Sequence, residues 1–278
     1  MKKYILIVVL TVVTTVTFGQ KKEKIKGSKI VTVEQKVIAD FSELEVNDNI
    51  EVFLIKGEKC GLEIEADDNL HDIIKIELVG KNLRLSTLRN VSGYKKFIIR
   101  ITYTSDFKTV ISKNDAIVTA LAEIDLAAIT FSSFDYSKLF LNARVKNFNL
   151  KQEDKSKAEL NLKSENTVVE LSKNSHLKAL INGTNLKLDL YQKSDAEIEG
   201  DIMDAKIRLD NNAEFTGKKL SIKSMDLITE ADTNCSINVN TSITISASGS
   251  SEIEIYGEPK FDLKKFSDTA RLIKKLIK

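Results

Sequence analysis

The chain has no tryptophan and a single proline, Pro259. A proline inside a central strand removes a ladder donor, so residues 114–257, which contain none, suit unbroken β pairing. The two cysteines, Cys60 and Cys235, are too few for a disulfide-built scaffold. One falls in an early strand-like segment and the other in a repeat, so they are read as separate thiols. The only histidines, His71 and His176, are far apart and lack a His/Cys/Glu cluster at metal-ligand spacing. No G-x-S-x-G elbow and no phosphate loop is present. Without tryptophan, a sugar platform falls to tyrosine: Tyr94, Tyr103, Tyr136, Tyr191 and Tyr256 form a stripe only if several share one face. Isolated strand tyrosines with wet hydroxyls are the expectation.

Charge of one sign is also missing. Lys and Arg number 42 against 40 Asp and Glu. Lys2 and Lys3 precede an apolar run from Tyr4 to Phe18, after which Gly19 and Gln20 open a Lys-rich stretch. This reads as a secretory signal cleaved at Thr17–Gly19. The run is shorter than the roughly 20 residues a spanning helix needs, and no cysteine follows it to carry a lipid. Removal of residues 1–19 balances the charges, which leaves no electrostatic footprint for nucleic acid.

What the chain does have is a repeat. Small residues at Ala116, Ser137, Ala158, Ala179, Ala196, Ala213, Cys235 and Ser251 recur every 16–22 residues, each followed two positions later by an apolar side chain such as Val118, Leu139 or Ile253. Polar turn pairs (Asn114-Asp115, Ser194-Asp195, Asn211-Asn212) mostly precede them, and a second alternating segment, such as Leu186/Leu188/Leu190, lies about halfway along. Two strands per step of this size is the pattern of a coil that must stack on its neighbours to bury its apolar face. The outward positions are charged or polar: Lys187/Asp189, Glu197/Glu199, Lys206/Arg208, Ser221/Lys223, Asn238/Asn240 and Glu252/Glu254. They read as a solvated strand face; two carboxylates do serve glycosidases, but nothing singles out a pair.

Ahead of the repeat, period-two alternation marks short strands at Leu44–Val46, Ile50–Ile55, Leu62–Glu65, Ile76–Leu78, Leu83–Leu85 and Ile98–Tyr103. Gly80-Lys81-Asn82 joins two of them as a hairpin, and a brief helical turn is expected around Asn69 to Ile74. Asp67-Asp68-Asn69 lacks the spaced ligands and terminal Glu of a calcium loop and is read as a turn.

These segments resemble a known family. Asp40-Phe41 with Leu44-Glu45-Val46, Asn49-Ile50-Glu51-Val52 with Ile55 and Gly57, the run from Leu62 to Leu70, Gly80-Lys81-Asn82-Leu83-Arg84-Leu85, and the closing Tyr256-Gly257-Glu258-Pro259-Lys260 are similar in order and spacing to the bacterial head GIN domain family, whose members are often labelled putative autotransporter adhesins. The resemblance implies an exported all-β protein with solenoid-like stacking. It brings no catalytic residues to carry across. Asn and Asp stand in the coil turns where the family often has Gly.

At the C-terminal end, Leu272, Ile273, Leu276 and Ile277 recur at helical spacing, with Lys274, Lys275 and Lys278 opposite and Ser267 or Asp268 as cap. The spacing predicts a short amphipathic helix that covers the open end of the coil, or attaches to an anionic membrane surface or a partner.

The expected architecture is therefore all-β: a signal peptide at 1–19, a polar lead-in at 20–28, a β segment at 29–110, right-handed parallel β-helix-like solenoid repeats at 111–266 and a C-terminal helix at 267–278. The expected function is that of an exported, non-catalytic adhesin or binding protein of the periplasm or cell surface. No catalytic, metal or cofactor residues are assigned, and the ligand, a glycan or protein of the envelope, is open. A polysaccharide-active lyase or hydrolase is the alternative, with an oligomeric structural module as the third reading.

Overall fold

Apolar and polar side chains alternate in nearly every segment, and the chain answers with strands. A computed structural model describes residues 22–276. The expected signal peptide at 1–19 lies outside the described residues, as do the first residues of the lead-in. Strand makes up 69% of the structure and helix 2%, arranged as a β-solenoid of about nine turns.

The first part consists of short strands: β1 (Lys24–Lys26), β2 (Val31–Lys36), β3 (Glu43–Val46), β4 (Glu51–Lys56), β5 (Gly61–Asp67), β6 (Ile74–Val79), β7 (Asn82–Thr87), β8 (Asn90–Ser92), β9 (Phe97–Tyr103) and β10 (Thr109–Ser112), with one 3-10 turn at Asp68–Ile73. The expected hairpin is β6–β7, antiparallel, with Val79 opposite Asn82 and Gly80 at φ 64° in its turn. β5 also pairs antiparallel, with β2 on one side and β9 on the other.

The second part consists of long strands: β11 (Ile117–Ser133), β12 (Lys138–Gln152), β13 (Lys157–Leu171), β14 (His176–Leu190), β15 (Asp195–Leu209), β16 (Glu214–Thr229) and β17 (Asn234–Ala247), then the shorter β18 (Glu252–Tyr256), β19 (Lys260–Phe266) and β20 (Arg271–Lys274). Each long strand pairs in parallel with the next. The two parts share one ladder, because β3 pairs with β10 and β4 with β11, both parallel.

Each long strand is bent. In β12 the alternation of buried and exposed residues breaks at Lys146-Asn147, both exposed, and resumes at Phe148. The two halves face each other as two sheets, and Leu139, Leu141, Ala143, Phe148 and Leu150 all point into one continuous core. The two strands expected per step are these two halves.

The register corrects the spacing of the repeat. Lys138, Lys157, His176, Asp195 and Glu214 are consecutive partners across the ladder, so these turns repeat every 19 residues, the separation shown also by the stacked pairs Asn147/Asn166 and Asn166/Asn185. The column of small corner residues is Ala116, Ser137, Ser156, Ser175, Ser194, Ala213, Thr233 and Ser251, all buried. Ala158, Ala196 and Cys235 share a column with Leu139, Leu177 and Phe215, and Ala179 stacks on Leu160. The column takes small side chains, and at three of its corners the hydroxyl returns to the turn beneath: Ser137 Oγ donates to the Ser112 carbonyl at 3.2 Å, Ser175 Oγ to the Gln152 carbonyl at 3.4 Å and Ser194 Oγ to the Leu171 carbonyl at 3.1 Å.

The C-terminal helix is also corrected. Arg271–Lys274 form β20, parallel to Glu252–Ile255. The amide of Arg271 donates to Ser251 and that of Lys275 to Ile255, at 2.8 and 2.9 Å, while Leu272 packs against the core. An isolated helix of about three turns is marginal in water, whereas the edge of β18 offers ready acceptors. Ile277 and Lys278 lie outside the described residues.

Candidate functional site

The outward face of the first sheet carries an extended hollow that combines apolar and charged walls. It has a volume of about 580 Å³ and crosses four turns of the ladder, within the range typical of ligand sites. Phe140, Glu159, Lys178 and Glu197 are register partners along its length, and Asn142, Asn161, Leu180 and Glu199 form a second row two residues on. Period-two geometry puts both rows on one face.

Each row has its own chemistry. Leu180 is 44% exposed at a position where the strand should show a polar side chain, and Phe140, two strands away in the other row, is half-buried on the same face. The Asn161 side-chain amide donates to Asn142 Oδ1 at 3.1 Å, a ladder that fixes both amides. Glu199 accepts from Lys219 Nζ at 2.7 Å, and that contact raises the Lys219 pKa above its ordinary value.

A second hollow of about 210 Å³ continues the trough beside Lys138, Lys157, His176 and Lys178. His176 Nδ1 is bonded to Asp195 Oδ2, its register partner on β15. A third, of about 290 Å³, lies further along the same face, with Glu214, Thr216, Ser236, Glu254 and Tyr256 on its walls. The trough thus runs from a cation-rich stretch over β12–β14 to an acidic one at β15, where Asp195, Glu197, Glu199 and Asp201 all point outward.

The structure disperses the other residues singled out by sequence. Tyr103 is buried, stacked on Phe107 at 4.9 Å, and burial pushes its hydroxyl up to about 12. Tyr136 sits in a corner, 55% exposed, under Lys155, and Tyr191 lies under Arg208 in another. Tyr94 packs on Phe97 in the first part. Only Tyr256 reaches the trough, so the tyrosines form no common stripe. His71 bonds Thr32 through Nε2 at 2.9 Å. Cys60 and Cys235 are free, and burial pushes the Cys235 thiol up to about 12.

Asp67-Asp68-Asn69 is a tether. The buried Asp67 carboxylate accepts from the amides of Lys29, Lys95 and Lys96 at 2.8–3.2 Å. Burial pushes its pKa up, but those amides and the charge of Lys29 outweigh it and hold the carboxyl below its usual value. Asp68 accepts from Ser28 Oγ, and Asn69 bonds the backbone of both Ser28 and Lys26. Among the described residues, no three His, Cys, Asp or Glu side chains gather as metal ligands, and no helix is long and apolar enough to cross a membrane.

Phe140 and Leu180 were the residues missed by sequence reasoning. The signal was parity: in Leu177-Lys178-Ala179-Leu180-Ile181 one large apolar side chain falls out of step, a mismatch that becomes readable only once the 19-residue register is known.

A family profile described as "Putative auto-transporter adhesin, head GIN domain" matches residues 40–259. No curated protein matches the sequence. Among solved structures, a "putative adhesin" from Parabacteroides merdae aligns over 91% of this chain and 99% of its own with a TM-score of 0.65 at 15% identity. A "putative adhesin" from Parabacteroides distasonis covers 91% and 98% with a TM-score of 0.66 at 14% identity. A "putative lipid binding protein" from the same species covers 91% and 100% with a TM-score of 0.60 at 14% identity. At these identities the likeness is one of fold.

Proposed function

Since this chain belongs to the family described as "Putative auto-transporter adhesin, head GIN domain", we propose that it is an exported, non-catalytic binding protein of the cell surface or envelope, with the trough on its first sheet as the ligand site. The observation that carries this reading is the pair of outward apolar side chains, Phe140 and Leu180, set among Asn142, Asn161, Lys178 and Glu197 in a hollow that spans four turns. Apolar surface in a concave site supplies affinity, and the few fixed polar groups around it supply orientation. An open trough of this length suits an extended ligand lying along the solenoid axis, such as an envelope glycan or a protein segment.

The test is binding of the chain from Gln20 to Lys278 to arrays of glycans and envelope polymers, with product analysis of every hit. Saturable binding without cleavage is expected, weakened at least about tenfold in a Phe140→Ser, Leu180→Ser variant, since buried aromatic anchors carry most of an interface's energy. Cleaved product would replace this reading with a polysaccharide-active enzyme. Binding indifferent to the variant would move the site off the trough.

A further inference from the structure

The solenoid ends differently at its two poles. At the N-terminal pole the outer strands are antiparallel and their charges are matched: Lys36 pairs with Glu34 on β2, and Lys75 with Glu77 on β6. At the other pole β19 pairs with β17 and β20 with β18, and among the described residues neither has a partner on its outer side. Phe261 and Leu263 continue the inward columns of Ile243 and Ile245, and Phe266 that of Ala247. Side chains that are core in every earlier turn are here 42, 51 and 42% exposed.

The charge around them has one sign. Residues 260–276 hold six basic side chains and two acidic ones, whereas the rest of the described chain is more acidic than basic. Both carboxylates are engaged: Asp262 pairs with Lys264, and Asp268 accepts from the Gly249 amide. Lys260, Lys265 and Arg271 have no carboxylate partner among the described residues.

We propose that this pole is a docking surface for an anionic lipid membrane. Phe261, Leu263 and Phe266 enter the headgroup boundary, and Lys260, Lys265 and Arg271 face the lipid phosphates. Apolar side chains ringed by cations gain from both terms at such a surface. Docking stays shallow, because the outer amides of β19 need water that the hydrocarbon lacks. A second copy of the chain fits less well: pole to pole it brings like charges together, and pole to opposite pole it meets antiparallel strands without complementary charge. Attachment here leaves the trough uncovered, so this inference stands independently of the trough's ligand.

Flotation of the chain from Gln20 to Lys278 with vesicles tests it, comparing pure phosphatidylcholine with phosphatidylcholine doped with phosphatidylglycerol. Binding to the doped vesicles alone, weakening as salt rises, is expected. Lys260→Glu with Lys265→Glu alters exposed side chains at the edge and should lower that binding at least about tenfold, given what each cation contributes at an anionic surface. The charge-matched Lys206→Glu with Lys223→Glu, elsewhere on the solenoid, should leave it unchanged. Three results would each overturn the proposal: no binding by the unaltered chain, which would reduce the lysines to guards against edge pairing; an equal loss in both variants; or a dimer in sedimentation that the first variant dissolves.

Discussion

The part before residue 113 and the turns from β12 to β17 are built on opposite principles. In the first, strands of three to seven residues change partner and direction, and particular contacts decide the path, as with the Asp67 carboxylate gripping three backbone amides. In the second, strands repeat their neighbours, without a break from β12 to β15 and with bulges where β16 joins β15 and β17. Rows of equivalent side chains decide the path there, such as the corner column from Ala116 to Ser251. One region depends on singular residues, the other on a lattice in which each position is backed by the next turn.

The comparison is tested first at the lattice's interior. Leu188 is fully buried, between Val169 and Ile207 in register. Leu188→Ala should cost about 4 kcal/mol in chemical denaturation, and the loss should be shared by the adjacent turns in hydrogen exchange. A loss confined to β14 would show that the turns do not support one another.

Asp67→Asn should cost about 3 kcal/mol, since one oxygen becomes a donor aimed at backbone amides that then lack an acceptor. Its pH signature has a definite sign. A carboxyl whose folded pKa lies below its unfolded one contributes fully above about pH 4 and loses that contribution as pH falls through the folded value. The variant's stability should therefore vary less with pH in acid than that of the unaltered chain, and parallel acid profiles would refute the clamp. Gly200 at φ 118°, where a Cβ would meet the Ile181 carbonyl at 2.2 Å, is a singular residue within the lattice. Gly200→Ala should cost about 2 kcal/mol, read as a lowered melting temperature. The smallest effect belongs to the corner Asn ladder, where Asn166 bridges Asn147 and Asn185 at 3.0 and 2.9 Å on an exposed edge. Asn166→Ala should cost less than about 1 kcal/mol. For the thiols, a polar disulfide reagent should titrate Cys60 in the folded protein and reach Cys235 only after unfolding, because the buried thiol stays protonated.

The all-β class and the stacked repeat were legible because alternation survives in single strands such as Leu186-Lys187-Leu188-Asp189-Leu190. The phase was not, because the core tolerates Ala158 and Leu139 in one column: a small residue is read as a corner when it is simply the light member of a packed stack. The serines at 156, 175 and 194 mark the true corners, and they are common enough elsewhere in the chain to pass unnoticed. The C-terminal segment misled for a different reason. Leu272-Ile273 and Leu276 satisfy a helical period in isolation, and only the presence of β18 beside them decides for a strand. The trough was invisible for the same reason as the phase, since Phe140 and Leu180 come to line one hollow only when turns are laid on one another.

The constant step has a metrical consequence. Successive turns are one strand spacing apart, roughly 4.8 Å, so about nine turns make a rod on the order of 40 Å long, graduated like a ruler. Chemical groups on its faces recur at that interval, so a polymer lying along the axis registers with many turns at once only if its own repeat is commensurate with the interval. A chain in which residues 176–194 are duplicated would be longer by one graduation and would keep every other mark in phase.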